Sequence, residues 1–155
     1  ELEKLPLVER IFLRDVRRNI SVQPQDVGAG ISQVIPVLVA ALEPKISTLL
    51  VEQPELHIHP KLQVELAELF VKVSLELNKN FILETHSEHL ILRFLKKIRN
   101  QEMKATDVIV YYIDTVNDET KVKKIRIDND GQFLDRWPKG GFFPERSKEL
   151  FDAFR

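Results

Sequence analysis

Apolar residues along this chain fall either at helical intervals or in short unbroken runs, and the succession of the two predicts its elements. Ile31, Val34, Ile35, Leu38, Val39 and Leu42 recur at helical spacing, which gives one apolar face over about three turns. Pro36 fits such a helix best in its first turn, where a missing N–H costs least, and Pro44 closes it. Thr48 to Val51 has no polar face, the pattern of a strand buried on both sides in a parallel sheet. From Pro60 onward, Leu62, Leu66, Leu69, Phe70, Val73 and Leu77 predict a long amphipathic helix that ends near Asn78 to Asn80. Phe81 to Leu83 is a second buried strand, so the helix is a crossover long enough to return the chain parallel.

The flanking regions are less regular. Ile11 to Val22 alternates unevenly between apolar and charged residues, which predicts one or two short, half-exposed strands with a turn near Arg18 and Asn19. A third helix from about Ser87 carries Leu90, Ile91, Phe94, Leu95 and Ile98 on one side, with basic residues in its last turn where the helix dipole favours them. Val108 to Ile113 and Val122 to Ile127 predict two more strands across the turn residues Asn117 and Asp118, and Asp128 to Gly131 a further turn. Trp137 to Pro144 reads as a docked aromatic segment. The expected fold is α/β, a mostly parallel sheet with flanking helices and a carboxyl-terminal β-hairpin, forming a single domain over residues 1–155.

Composition narrows the class. The chain has 155 residues, 43% hydrophobic and 30% charged, within the range of one soluble domain with a real core. A net charge of −1 gives no global field for polyanions, so nucleic-acid binding would need a local patch. Arg14, Arg17 and Arg18, or Lys96, Lys97 and Arg99, are the clusters available, and each reads first as a solvated strand face or helix end. With no cysteine, disulfides and thiolate metal sites are excluded, in keeping with a reducing compartment. The longest apolar stretch, Ile31 to Leu42, is too short to span a membrane. A cytoplasmic protein without a membrane partner is expected.

Candidate chemistry sits where the strands end. In an open α/β sheet, ligands collect at the carboxyl ends of the strands, and those ends carry Glu52 and His86. A carboxylate there can hold magnesium, which takes oxygen ligands and keeps much of its hydration; alone, it could equally be a loop or capping carboxylate. His86 can reach a terminal phosphate or an attacking water and donate to developing charge, although a lone histidine there would more often be structural. Gly28 to Gln33 offers free backbone N–H groups at a helix start, suited to phosphate, and by itself is no more than a tight turn.

Together and in this order, Asp26 to Gln33 (DVGAGISQ), Leu49 to Pro60 (LLVEQPELHIHP) and Glu84 to Ser87 (ETHS) resemble the signature motif, the Walker B strand with its D-loop, and the switch histidine of ABC-type ATPases. The relatives are the chromosome-maintenance, recombination-repair and phage-exclusion ATPases. The chain more closely resembles stand-alone bacterial AAA-family members whose Walker B region reads like EQPELHLHP, followed by ETHSEHL. The resemblance covers Asp26 to Ile98, and the tail Trp137 to Phe143 is similar as well. It implies the carboxyl-terminal half of a P-loop NTPase head that uses ATP and Mg2+. It gives Glu52 the metal role, Gly28, Gly30, Ser32 and Gln33 the signature contacts to nucleotide, and His86 the switch role. Glu55 to Pro60, His57 included, would form the loop at a dimer seam. The implied assembly is a homodimer with ATP at its interface, the Walker A of one head facing the signature motif of the other. The client, nucleic acid or effector protein, stays open.

Two departures matter. Gln53 stands where many relatives place a catalytic glutamate, and an amide cannot act as a general base; either Glu55 or another carboxylate polarises water, or turnover is slow. No G-x-x-x-x-G-K-S/T occurs among the five glycines, so the phosphate-cradling loop and its lysine are missing. The chain is therefore expected to be the carboxyl-terminal half of a longer protein, its partner the amino-terminal Walker A half, and to be inert alone. Two alternatives remain: a metal-dependent hydrolase using Glu55, His57, His59, His86 and His89, and a non-catalytic module that senses nucleotide, favoured by Gln53.

Overall fold

The computed structural model describes residues 12–23 and 26–138. In chain order these form β1 (Leu13–Asp15), β2 (Ile20–Val22), α1 (Ala29–Leu42), β3 (Thr48–Glu52), α2 (Pro60–Leu77), β4 (Asn80–Glu84), α3 (Glu88–Arg99), a short 3-10 turn (Ala105–Asp107), β5 (Val110–Val116) and β6 (Glu119–Ile125). The strands pair two by two: β1 with β2 antiparallel, β3 with β4 parallel, and β5 with β6 antiparallel. The fold is thus mixed α/β with small sheets. Among the described residues, the expected dominance of parallel pairing is met only at β3 and β4, the one pair there joined by a crossover helix.

The chain divides into two compact units, residues up to His59 with Val73–His86, and Pro60–Lys72 with the residues from Ser87 on. In the first unit α1 begins at Ala29 behind Gly28, whose φ of −50° and ψ of 154° are those of a non-helical cap. Pro36 lies in the interior of α1 rather than its first turn, where it removes one backbone hydrogen bond. The far end of the helix is held from outside. Lys79, only 2% exposed, donates from Nζ to the carbonyls of Ala40 (3.2 Å), Ala41 (2.7 Å) and Glu43 (2.8 Å). These are groups that a helix end leaves without intrahelical donors.

β3 and β4 run in register, Thr48 opposite Asn80 through Glu52 opposite Glu84. Their residues alternate between exposed and half-buried, and Leu50 and Ile82, directly opposite each other, are 68% and 60% exposed. This corrects the expectation of strands buried on both faces. One face is covered and the other carries Leu50, Ile82 and, at the tips, Glu52 and Glu84.

In the second unit, Phe70, Leu90, Ile98 and Ile125 are the largest fully buried side chains. Charges tie α3 to α2: Glu68 accepts from Arg93 at 2.9 Å and from Lys97 at 2.6 Å. Ser87 caps α3, its Oγ accepting from the Leu90 N–H at 3.2 Å while donating to Gln63 Oε1 at 2.6 Å, an N-cap bond worth about 1 kcal/mol. β5 and β6 turn at Asn117 and Asp118, both at positive φ, and run closer to that turn than the sequence pattern predicts. Gly131, at φ 67°, passes so close to α3 that a Cβ would stand 2.1 Å from the Leu95 carbonyl oxygen. Trp137 meets Tyr112 edge-on at 5.8 Å and Phe133 at 5.2 Å; the rest of the aromatic tail lies outside the described residues. Among the described residues no helix is long and apolar enough to cross a membrane.

Candidate functional site

The residues that the resemblance assigns to the nucleotide site, Gly28, Gly30, Ser32, Gln33, Glu52, Gln53, Glu55, His57 and His86, fall in the first unit, and His89 in the second. Glu52 ends β3 on the exposed face. Beyond it the ladder continues by one bond, the Gln53 N–H donating to the Glu84 carbonyl at 2.8 Å. Gln53 then takes a φ of 45°, a left-handed conformation that costs a non-glycine residue about 1–2 kcal/mol. The chain closes into a compact loop through Leu56 N–H to Gln53 O at 3.0 Å and Ile58 N–H to Glu55 O at 3.3 Å. His57 is also left-handed, at φ 60°. Pro54 and Ile58 are buried while Leu56, His57 and His59 are exposed.

This loop is joined to both other motif segments. Gly30, buried in the first turn of α1, faces it so closely that a Cβ would meet the His57 carbonyl oxygen at 2.2 Å and Ile58 Cγ2 at 2.8 Å. Glycine is required at position 30 by packing, since a helical φ needs none. Gly28 has open space around it. The Ile31 N–H is turned inward to the Gly28 carbonyl at 3.0 Å, while Ser32 and Gln33 are exposed. No acidic residue stands in the first turn of α1, so the positive end of its dipole is not offset locally.

On the other side, the His86 N–H donates to Glu55 Oε1 at 2.7 Å. Glu55 therefore reaches across from the loop after β3 to the segment after β4, and the His86 side chain remains at the surface.

Glu84 was not anticipated. It lies opposite Glu52 in the parallel register and on the same exposed face, so the two strand tips present a pair of carboxylates. The available signal was that each glutamate directly follows an apolar run, and equal strand lengths bring such residues level. Paired carboxylates offer oxygen donors of the kind magnesium accepts when phosphates and water complete its shell. Among the described residues, no group of three or more histidine, aspartate and glutamate side chains could hold a metal ion.

Residues 4–93 match the family described as "AAA domain, putative AbiEii toxin, Type IV TA system". Residues 103–152 match a family described as a protein of unknown function, DUF3696. No curated protein and no solved structure matches the chain.

Proposed function

The chain belongs to the AAA-domain family of ATPases related to the phage-exclusion ATPases, and from that membership we propose that it supplies the signature, Walker B and switch segments of an ABC-type ATPase head. The observation that supports this reading is the convergence of three separated segments on one loop. The start of α1 packs on His57 through Gly30, the tip of β3 feeds the loop through Gln53, and Glu55 holds the main chain of His86.

In this reading Glu52, with Glu84 beside it, holds magnesium together with the nucleotide phosphates. The ion, when bound, offsets the charge that builds on the transferring phosphoryl group. His86, at the surface beyond β4, donates a hydrogen bond to that group, an interaction that counts most where charge develops. The amino end of α1, with Gly28, Ser32 and Gln33 exposed, receives phosphate through its N–H groups and positive dipole. The phosphate-cradling loop and its lysine occur nowhere in the 155 residues, so they come from another segment. Two heads would face each other, one giving the phosphate loop and the other the signature helix, with ATP between them.

Mixing two damaged proteins tests the shared site. In the intact protein, Ser32→Glu places a negative charge at the phosphate-binding end of α1 and should abolish hydrolysis, as should a substitution of the phosphate-loop lysine. Mixed, each contributes its intact half, and about a quarter to a half of wild-type hydrolysis should return. Absence of recovery from a mixture that still forms mixed dimers rejects the composite site. Gln53 favours a second reading, a nucleotide sensor that turns over slowly or not at all. Hydrolysis that appears only in Gln53→Glu would select it.

A further inference from the structure

Glu55 looked from sequence like a substitute general base, because it is the next carboxylate after Gln53. Its geometry assigns it other work. The parallel ladder of β3 and β4 ends with the Gln53-to-Glu84 bond, and His86 lies two residues further along the second strand's exit. There, 31 positions away in sequence, Glu55 Oε1 takes the His86 main-chain N–H at 2.7 Å. A bond this short between a carboxylate and an amide is among the stronger hydrogen bonds in proteins. It joins two loops at the point where the strands no longer can.

We infer that Glu55 is a positioning residue: its carboxylate clasps the main chain of His86 and sets where the imidazole stands at the strand tips. The loop is built to hold it there. Gln53 and His57 both adopt left-handed backbone, and Pro54 and Ile58 are buried on either side, so the carboxylate is presented from a closed turn rather than a free chain. The inference rests on the proposed role of His86, and it separates two properties that a general base would combine. The clasp needs an acceptor oxygen at the right reach; base catalysis needs a carboxylate.

Glu55→Gln keeps the oxygen and its reach but cannot act as a base, whereas Glu55→Ala removes both and Glu55→Asp keeps the carboxylate with one methylene less reach. In the intact protein, Glu55→Gln should hydrolyse ATP within about threefold of wild type. Glu55→Ala should lose about tenfold or more in kcat with KM for ATP changed by less than about threefold. Glu55→Asp should fall on the side of the alanine variant. Residue-resolved hydrogen exchange at the His86 amide supplies the independent readout: slow in wild type and Glu55→Gln, and about tenfold or more faster in Glu55→Ala. A Glu55→Gln protein as inactive as Glu55→Ala, or a His86 amide equally protected in all variants, overturns the clasp. If the wild-type protein hydrolyses no ATP, the ATPase reading fails by itself, and the exchange rates still decide whether Glu55 holds His86.

Discussion

Gly28 and Gly30 lie two residues apart and answer to different constraints. A methyl group added at Gly30 would stand 2.2 Å from the His57 carbonyl oxygen, a main-chain atom that cannot step aside as a flexible side chain can. Alanine gains about 1 kcal/mol of helix propensity over glycine, and overpacking costs about 1–3 kcal/mol. The clash should win, because relieving it means moving a loop already held at two left-handed residues. Denaturant unfolding of Gly30→Ala is therefore expected to show a net loss of about 1–2 kcal/mol. Gly28→Ser adds a side chain into open space at a backbone conformation suited to an N-cap, and its hydroxyl can bond an N–H of the first turn. It should match or exceed wild type. Equal losses in both variants would mean that position 30 is not set by the approach of His57.

The elements show how far a sequence carries and where it stops. Helical spacing located α1, α2 and α3, and the crossover between two apolar runs gave the parallel pairing of β3 with β4. The second face of those strands was not legible. Leu49, Leu50 and Val51 make the same unbroken run whether the covering layer comes from these residues or from others. Pro36 stands about two turns into α1 rather than in its first turn, because the helix already starts at Ala29, ahead of the apolar positions that mark it in the sequence. β5 reaches Val116 across the polar residues Asp114 and Thr115, since a tight turn at Asn117 and Asp118 fixes the register up to itself. In the site, strand-end residues were legible singly, whereas the Glu52 and Glu84 pair and the Glu55 clasp depend on register and on contacts distant in sequence. Beyond β6, Arg126 bonds Asp135 through its main-chain N–H at 2.8 Å, Nε at 3.0 Å and Nη2 at 2.8 Å. Hydrogen bonds from the Arg126 side chain, then from its main chain, hold the Asp135 carboxyl well below the usual carboxylate range. A lowered folded-state pKa contributes stability above the unfolded value and loses it as pH falls toward the folded one. Unfolding followed from about pH 5 downward should thus decline less steeply in Asp135→Asn than in wild type below about pH 4. Parallel curves would show that the pair does not contribute to acid sensitivity.

At the scale of the whole molecule, each unit leaves apolar side chains in water. In the first unit Leu50 and Ile82 stand opposite each other on an open sheet face. In the second, Tyr111, Ile113 and Val122 are similarly exposed, with Ile113 paired to Val122. Burying one such aliphatic side chain fully is worth about 1.5–3 kcal/mol, so contiguous exposure of this kind favours association. The 155 residues prepared alone should bind an environment-sensitive apolar dye and self-associate with rising concentration. Leu50→Thr combined with Ile82→Thr puts a β-branched strand former at both positions and should lower both signals by about twofold or more. No change in either would locate the sticky surface elsewhere.

The three carbonyls that receive Lys79 have a consequence for chemical footprinting. An amine-modifying reagent needs room to approach, and Nζ of the buried Lys79 offers none while it donates to Ala40, Ala41 and Glu43. Its neighbours in sequence lie at the surface, so its silence comes from the docked end of α1 and not from a shielded stretch of chain. Acylation at Lys79 would then mark the moments when that helix lifts away. One lysine thus serves as a built-in clock for local opening at the carboxyl end of α1.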